Sequence, residues 1–182
     1  LPNKWSHVAF VFDNDNDVVK VFVNGVLSGS RALGCDLLDT SAVVWIGGPG
    51  PFYYRRYGTD MFSGYIDEVR IWDIARTEAE LYNNMTIGSI TGIEEGLVAY
   101  WDFERGEDTT ILYDRSGNGN HGKIYDAVWS EHAASVEIVS VDAEKEVGRG
   151  NPFTVAINIE EVNVGTINRL AVFQLDIFQK QR

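Results

Sequence analysis

Two groups of residues in this 182-residue chain could bind a ligand, and a third invites a test for catalysis. The run Phe52-Tyr53-Tyr54-Arg55-Arg56-Tyr57 sets aromatic faces beside planar guanidinium groups within one segment. Aromatic faces stack on pyranose rings and guanidinium groups bond hydroxyls, so the run is a candidate sugar-binding rim on a loop. The competing reading folds the same rings back over the edge of the fold. The second group is rich in oxygen. Asp114, Asn118 and Asn120 lie on a glycine-rich frame from Asp114 to Gly122, which could curl around a hard cation such as calcium. A tight turn that uses Asn and Gly for positive φ explains the same residues without an ion.

Catalysis finds less support. Asp67 and Glu68 are adjacent, so on a strand they point to opposite faces, while Glu68, Arg70 and Trp72 share one face. Paired acids for glycoside hydrolysis must flank one bond, which adjacent strand positions do not allow. His7, His121 and His132 are scattered, and none accompanies a Gly-x-Ser-x-Gly elbow. Asp13, Asp15 and Asp17 begin like an EF-hand loop, but Val18 replaces the required Gly and Asn24 the final Glu, which leaves a solvated hairpin turn.

Charge narrows the partners. With 15 Lys+Arg against 27 Asp+Glu the net charge is -12, so no basic surplus exists to displace counterions from nucleic acid, and anionic lipid is repelled. No apolar run is long enough to cross a bilayer. Cys35 is the only cysteine, which excludes an internal disulfide and a cysteine-rich zinc site. Asn84-Met85-Thr86 fits a glycosylation sequon on an expected surface turn after a helix, a hint of an extracellular setting.

The elements that must position these residues read overwhelmingly as strands. The pattern predicts strands at His7–Phe12, Val18–Val23, from Val26, at Ala42–Ile46, Tyr65–Trp72, Leu97–Phe103, Ile111–Tyr113 and Lys123–Trp129. Asn24-Gly25 is a strong hairpin signal. Thr77 with Glu80 makes a capping box and predicts one short helix over Glu78–Asn84. Trp5, Trp45, Trp72 and Trp101 fall in predicted strands and belong to the core. Ser130–Ser135 is small and polar and reads as a linker, followed by strand patterns at Val136–Val141, Phe153–Ile159 and Leu170–Phe178. Many short strands without alternating long helices predict an all-β, antiparallel β-sandwich or jelly roll. The chain opens on Leu1-Pro2-Asn3-Lys4-Trp5 without an initiator Met and reads as a fragment.

Several phrases in order resemble the concanavalin A-like, laminin G-like jelly-roll family. They are Trp5-Ser6-His7-Val8-Ala9, Val21-Phe22-Val23-Asn24-Gly25, Ile46-Gly47-Gly48, the run from Phe62 to Trp72, Thr77–Leu81, Gly96–Phe103 and Asp114–Gly122. The resemblance covers residues 1–129, with strands that normally precede it absent. It implies a concanavalin A-like sandwich, and a structural calcium held in part by an acid on the last core strand, here Asp67. The Glu-x-Asp-x-x-Glu pattern of hydrolases on this fold is absent. Residues 136–182, through Val136-Glu137-Ile138, Phe153–Ile157 and Phe173–Ile177, more faintly resemble the opening of a cohesin-type sandwich, hence a partial C-terminal β segment.

The expectation is a non-catalytic carbohydrate-binding or adhesion module of a larger extracellular or cell-surface protein. Its partners would be a glycan or cell-surface ligand, and a dockerin-type or neighbouring β-sandwich domain. An accessory domain of a polysaccharide-degrading assembly and a calcium-stabilised spacer are the alternatives.

Overall fold

The computed structural model describes residues 4–34, 44–47, 62–85, 90–104, 110–124, 127, 129 and 172–179, the last group as backbone. The chain is an antiparallel β-sandwich, as the strand pattern predicts, with one short helix among the described residues. In order come β1 (Trp5–Asp13), β2 (Val18–Val23), β3 (Val26–Ala32), β4 (Gly64–Trp72), helix α1 (Glu78–Asn84), β5 (Leu97–Trp101), β6 (Ile111–Leu112), β7 (Gly122–Lys123) and β8 (Val172–Gln179). Six strands form one sheet in the order β3-β2-β1-β8-β4-β5, and β6 pairs with β7 in a second.

Local chemistry sets the turns. Asp13 accepts from the backbone and side chain of Asn16, which closes the turn between β1 and β2. Asn24 and Gly25 both take positive φ, at 50° and 75°, as a tight two-residue hairpin with the right twist requires. A Cβ on Gly25 would lie 2.9 Å from the Tyr82 ring, so glycine also lets the hairpin approach α1. The helix begins on its capping box: Thr77 Oγ1 accepts from Glu80 N, and the Glu80 carboxylate accepts from Thr77 N at 2.7 Å.

Both faces of the large sheet are covered. On one, Val8, Ile46, Val69, Ile71, Val98, Trp101 and Leu112 form a core between the two sheets. On the other, Ala9, Val11, Phe22, Trp72, Leu97 and Tyr100 pack with Leu81 of α1 and with Ile90. Covering both faces explains why β1 reads as a continuous apolar run instead of an alternating one. Trp72 and Trp101 are fully buried, as expected of core tryptophans.

Several predicted strands are shorter or absent. Val44 to Gly47 is not strand, so Trp45 is not a strand residue. Of Lys123–Trp129, Lys123 lies in β7, residues 124, 127 and 129 are not strand and the others lie outside the described residues, and the strand from Leu97 ends at Trp101. Apolar runs alone do not show where pairing stops. The patterns at Val136–Val141 and Phe153–Ile159, and the linker at Ser130–Ser135, lie outside the described residues. Of the C-terminal segment the described part is β8, which lies inside the large sheet.

Candidate functional site

The aromatic–arginine run 52–57 lies outside the described residues; its frame does not. Phe62 N donates to Gly47 O at 2.7 Å, which joins the two ends of the segment 48–61. Ile46 before this neck is buried, and Phe62 after it packs against the inter-sheet core. Gly47 and Phe62 are therefore held side by side at the sandwich.

The predicted oxygen-rich turn is a clamp on β5. Asp114 Oδ1 accepts from Tyr100 N at 3.0 Å and Ser116 N at 2.8 Å, and Oδ2 from Asn120 N at 2.9 Å, with Ser116 Oγ 2.8 Å away. Asn118 Nδ2 donates to Leu97 O and Val98 O, and Asn120 Nδ2 to Val98 O. Arg115 N donates to Tyr100 O, and Trp101 Nε1 to Asn120 O. β5 ends the large sheet, so its outer backbone groups would otherwise be an open edge. Gly117 and Gly119, at φ 81° and 78°, supply the curl.

These partners bear on calcium. Three backbone N–H groups and a hydroxyl already surround the Asp114 carboxylate, so an ion held there would have to displace donors that tie the loop to β5. Asn120 Oδ1 is buried without a donor. Asp67 is half-buried, and its Oδ1 accepts from Glu68 N. Among the described residues no group of three or more His, Cys, Asp and Glu could hold a metal.

Under α1 lies a cluster that sequence reasoning missed. Glu68, Arg70, Tyr100 and His7 are all buried. Arg70 Nη2 donates to Glu68 Oε2, Arg70 Nη1 to Asn84 O at 2.8 Å, and the Tyr100 hydroxyl to Glu68 Oε2 at 3.0 Å. The guanidinium sits 5.3 Å from the Tyr100 ring centroid. Burial raises the Glu68 carboxyl above its ordinary range, against the pull of Arg70 and Tyr100. It also raises the Tyr100 phenol, helped by the Glu68 charge. His7 is lowered to about 3, first by burial and then by the Arg70 charge, and neither ring nitrogen has a partner.

Glu68 takes φ 53° where the β4–β8 register shifts. A non-glycine residue in this region is strained by about 1–2 kcal/mol, and the bonds to Arg70 and Tyr100 hold it there. The two-residue spacing of Glu68 and Arg70 was the available signal. Arg70 thus pairs with Glu68. The cluster ties β4, β5 and the end of α1 together. Its carboxylate faces a cation and a phenol under a helix.

Two expectations about other sites change. The side-chain nitrogen of Asn84 is buried at the end of α1, so the sequon does not present its acceptor on a surface turn. His7 is a fully buried core residue, not an edge histidine. His121 does sit in its turn, where Nδ1 accepts from Asp114 N at 3.1 Å.

The sandwich agrees with the comparisons. Residues 1–82 match the laminin G-type family model described as the concanavalin A-like lectin/glucanases superfamily. A comparison with curated proteins finds no match. Among solved structures, the chain is similar to a 1.50 Å crystal structure from Bacteroides ovatus ATCC 8483, provisionally described as that of a carbohydrate binding protein. Identity is 26% and the TM-score 0.54, over 72% of this chain and 39% of that one. The chain therefore spans well under half of its neighbour's length.

Proposed function

We propose that the chain is a non-catalytic carbohydrate-binding module of a larger extracellular or cell-surface protein, and that residues 52–57 form its sugar-stacking rim. The observation that carries the reading is the match of residues 1–82 to the concanavalin A-like lectin/glucanases superfamily, joined by structural similarity to a protein provisionally described as carbohydrate binding. The neck at Gly47 and Phe62 supports the rim, because it fixes where the aromatic–arginine segment meets the sandwich. The burial of Glu68 against Arg70 supports a non-catalytic role, since this buried acid is committed to an ion pair.

Calcium belongs to this reading as a structural aid, with Asn120 Oδ1 the acceptor among the proposed ligands that lacks a donor. The carbohydrate reading is tested on a glycan array. The wild-type chain should bind a defined subset of polysaccharides, and Tyr53→Ala/Tyr54→Ala/Tyr57→Ala should lose those signals while keeping its melting temperature. Equal binding by the folded triple variant would remove the rim from the proposal. A silent wild-type array would favour the spacer reading.

A further inference from the structure

Asparagine followed by glycine is the step most open to spontaneous deamidation, because glycine carries no side chain to hinder attack by its backbone nitrogen on the preceding amide. The chain has two such steps, Asn24-Gly25 and Asn118-Gly119. The fold holds them differently. Asn24 is locked in its hairpin: its N donates to His7 O at 2.8 Å, and its Oδ1 accepts from His7 N at 2.9 Å. Gly25 is buried, and a Cβ there would meet the Tyr82 ring at 2.9 Å. An aspartate at 24 would still accept from His7 N, so the bond survives the change of side chain.

Asn118-Gly119 is open. Both residues are exposed, and a Cβ on Gly119 would meet nothing within 4 Å. What restrains Asn118 is its own side-chain nitrogen. Nδ2 donates to Leu97 O at 2.9 Å, to Val98 O at 3.0 Å and to Ser116 Oγ at 3.2 Å. All three bonds need an N–H, which only the amide supplies. The third binding partner of the loop's asparagines, Asn120, is different: it is buried, and the residue after it is His121. The restraint on Asn118 is therefore the clamp on β5 itself.

When the loop lifts from β5, Gly119 N is free to attack the Asn118 side-chain carbonyl carbon. A succinimide forms as ammonia leaves, and water then opens the ring to aspartate or isoaspartate. The balance is water consumed and ammonia released, with no oxidant or other co-reactant. The product carries a carboxylate where Leu97 O and Val98 O require a donor, so acceptor faces acceptor and two carbonyls of β5 lose a partner. The new charge also stands beside Ser116 Oγ, which Asn118 shares with the Asp114 carboxylate. Isoaspartate adds a backbone methylene and displaces the loop further. We propose that Asn118 is a deamidation site and that its conversion is a one-way latch: the reaction proceeds when the clamp opens, and its product no longer closes the clamp on β5. The part uncovered is the end strand of the large sheet, whose free edge is a template for pairing.

Peptide mapping by mass spectrometry tests this on the full chain, incubated in mildly alkaline buffer with chelator beside a sample unfolded in urea, where both Asn-Gly steps convert. In the folded chain the acid form is expected at 118 while the amide persists at 24. Asp114→Ala removes bonds that hold the loop closed and should speed conversion at 118 by about tenfold without changing 24. Ser116→Ala gives the same comparison where Asp114→Ala disturbs folding. Asn118→Asp made directly should melt at a lower temperature than wild type and exchange faster at Arg115 N, which donates to Tyr100 O in the clamp. An Asn118 amide that survives in the folded chain as long as that of Asn24 would overturn the site. Equal rates at 118 in wild type and both loosened variants would overturn gating by the clamp. Conversion at 118 with unchanged melting and exchange in Asn118→Asp would overturn the latch.

Discussion

The loop at Asp114 and the cluster at Glu68 both bury charge against β5, and they do so in opposite ways. At the loop, one carboxylate receives backbone N–H groups from three residues, and the neighbouring amides return donors to the edge of the sheet. At the cluster, a carboxylate is balanced by a guanidinium and a phenol, while His7 and Arg70 Nε keep nitrogens without partners. The first holds by saturation of hydrogen bonds and the second by neutralisation of charge. A carboxylate held by backbone donors can stay ionised at little cost, whereas a buried ion pair depends on both of its members.

The sharpest way to break this contrast is to remove one member of the pair. Arg70→Met should destabilise the chain by about 3–5 kcal/mol, because Glu68 would remain buried without its cation. Adding Glu68→Gln should return part of that loss, measured as urea midpoints of the single and double variants. Independent, additive effects would show that the two side chains do not act as a pair.

Asp114→Ala removes an acceptor of several bonds and should cost about 2–4 kcal/mol, given roughly 1.5–3 for each hydrogen bond to a charged group and incomplete additivity. Because donors already fill this carboxylate, adding calcium to a chelator-treated sample should raise the melting temperature by less than Asp114→Ala lowers it. A larger calcium shift, lost in Asn120→Ala, would make the ion the organiser of the loop.

A pH effect separates the two regions. The unfolded chain binds a proton at His7 below about pH 6.5, while the folded chain refuses it down to about 3. Within that window the unfolded state carries the extra proton, so stability falls as pH drops, by up to about 1.4 kcal/mol per pH unit. Above about 6.5 the contribution is complete. His7→Leu should flatten the stability profile between pH 4 and 6.5 relative to wild type, and an unchanged slope would place the titration elsewhere.

The fold was legible where local chemistry acts alone. The hairpin at Asn24-Gly25, the capping box at Thr77 and the strand β2 need only neighbours in sequence, and their structures follow the pattern. Asp114, Asn118 and Asn120 stood out by type, but the spacing did not reveal that their partners would be the edge of β5. Glu68 and Arg70 read as sharing a face, while the burial of that face depends on α1, which arrives from later in the chain. The place of β8 was the least legible feature. A strand pattern reports its period, not which distant strands it will separate.

The proposed function assigns carbohydrate recognition to residues 52–57 and not to the buried acids. Titration calorimetry with the polysaccharide selected on the array tests it directly, on wild type, the Tyr53/Tyr54/Tyr57→Ala variant and Glu68→Gln, each shown to be folded. The rim variant should bind at least tenfold more weakly, while Glu68→Gln stays within about twofold of wild type. Undiminished binding by the rim variant, with loss in Glu68→Gln, would contradict the account.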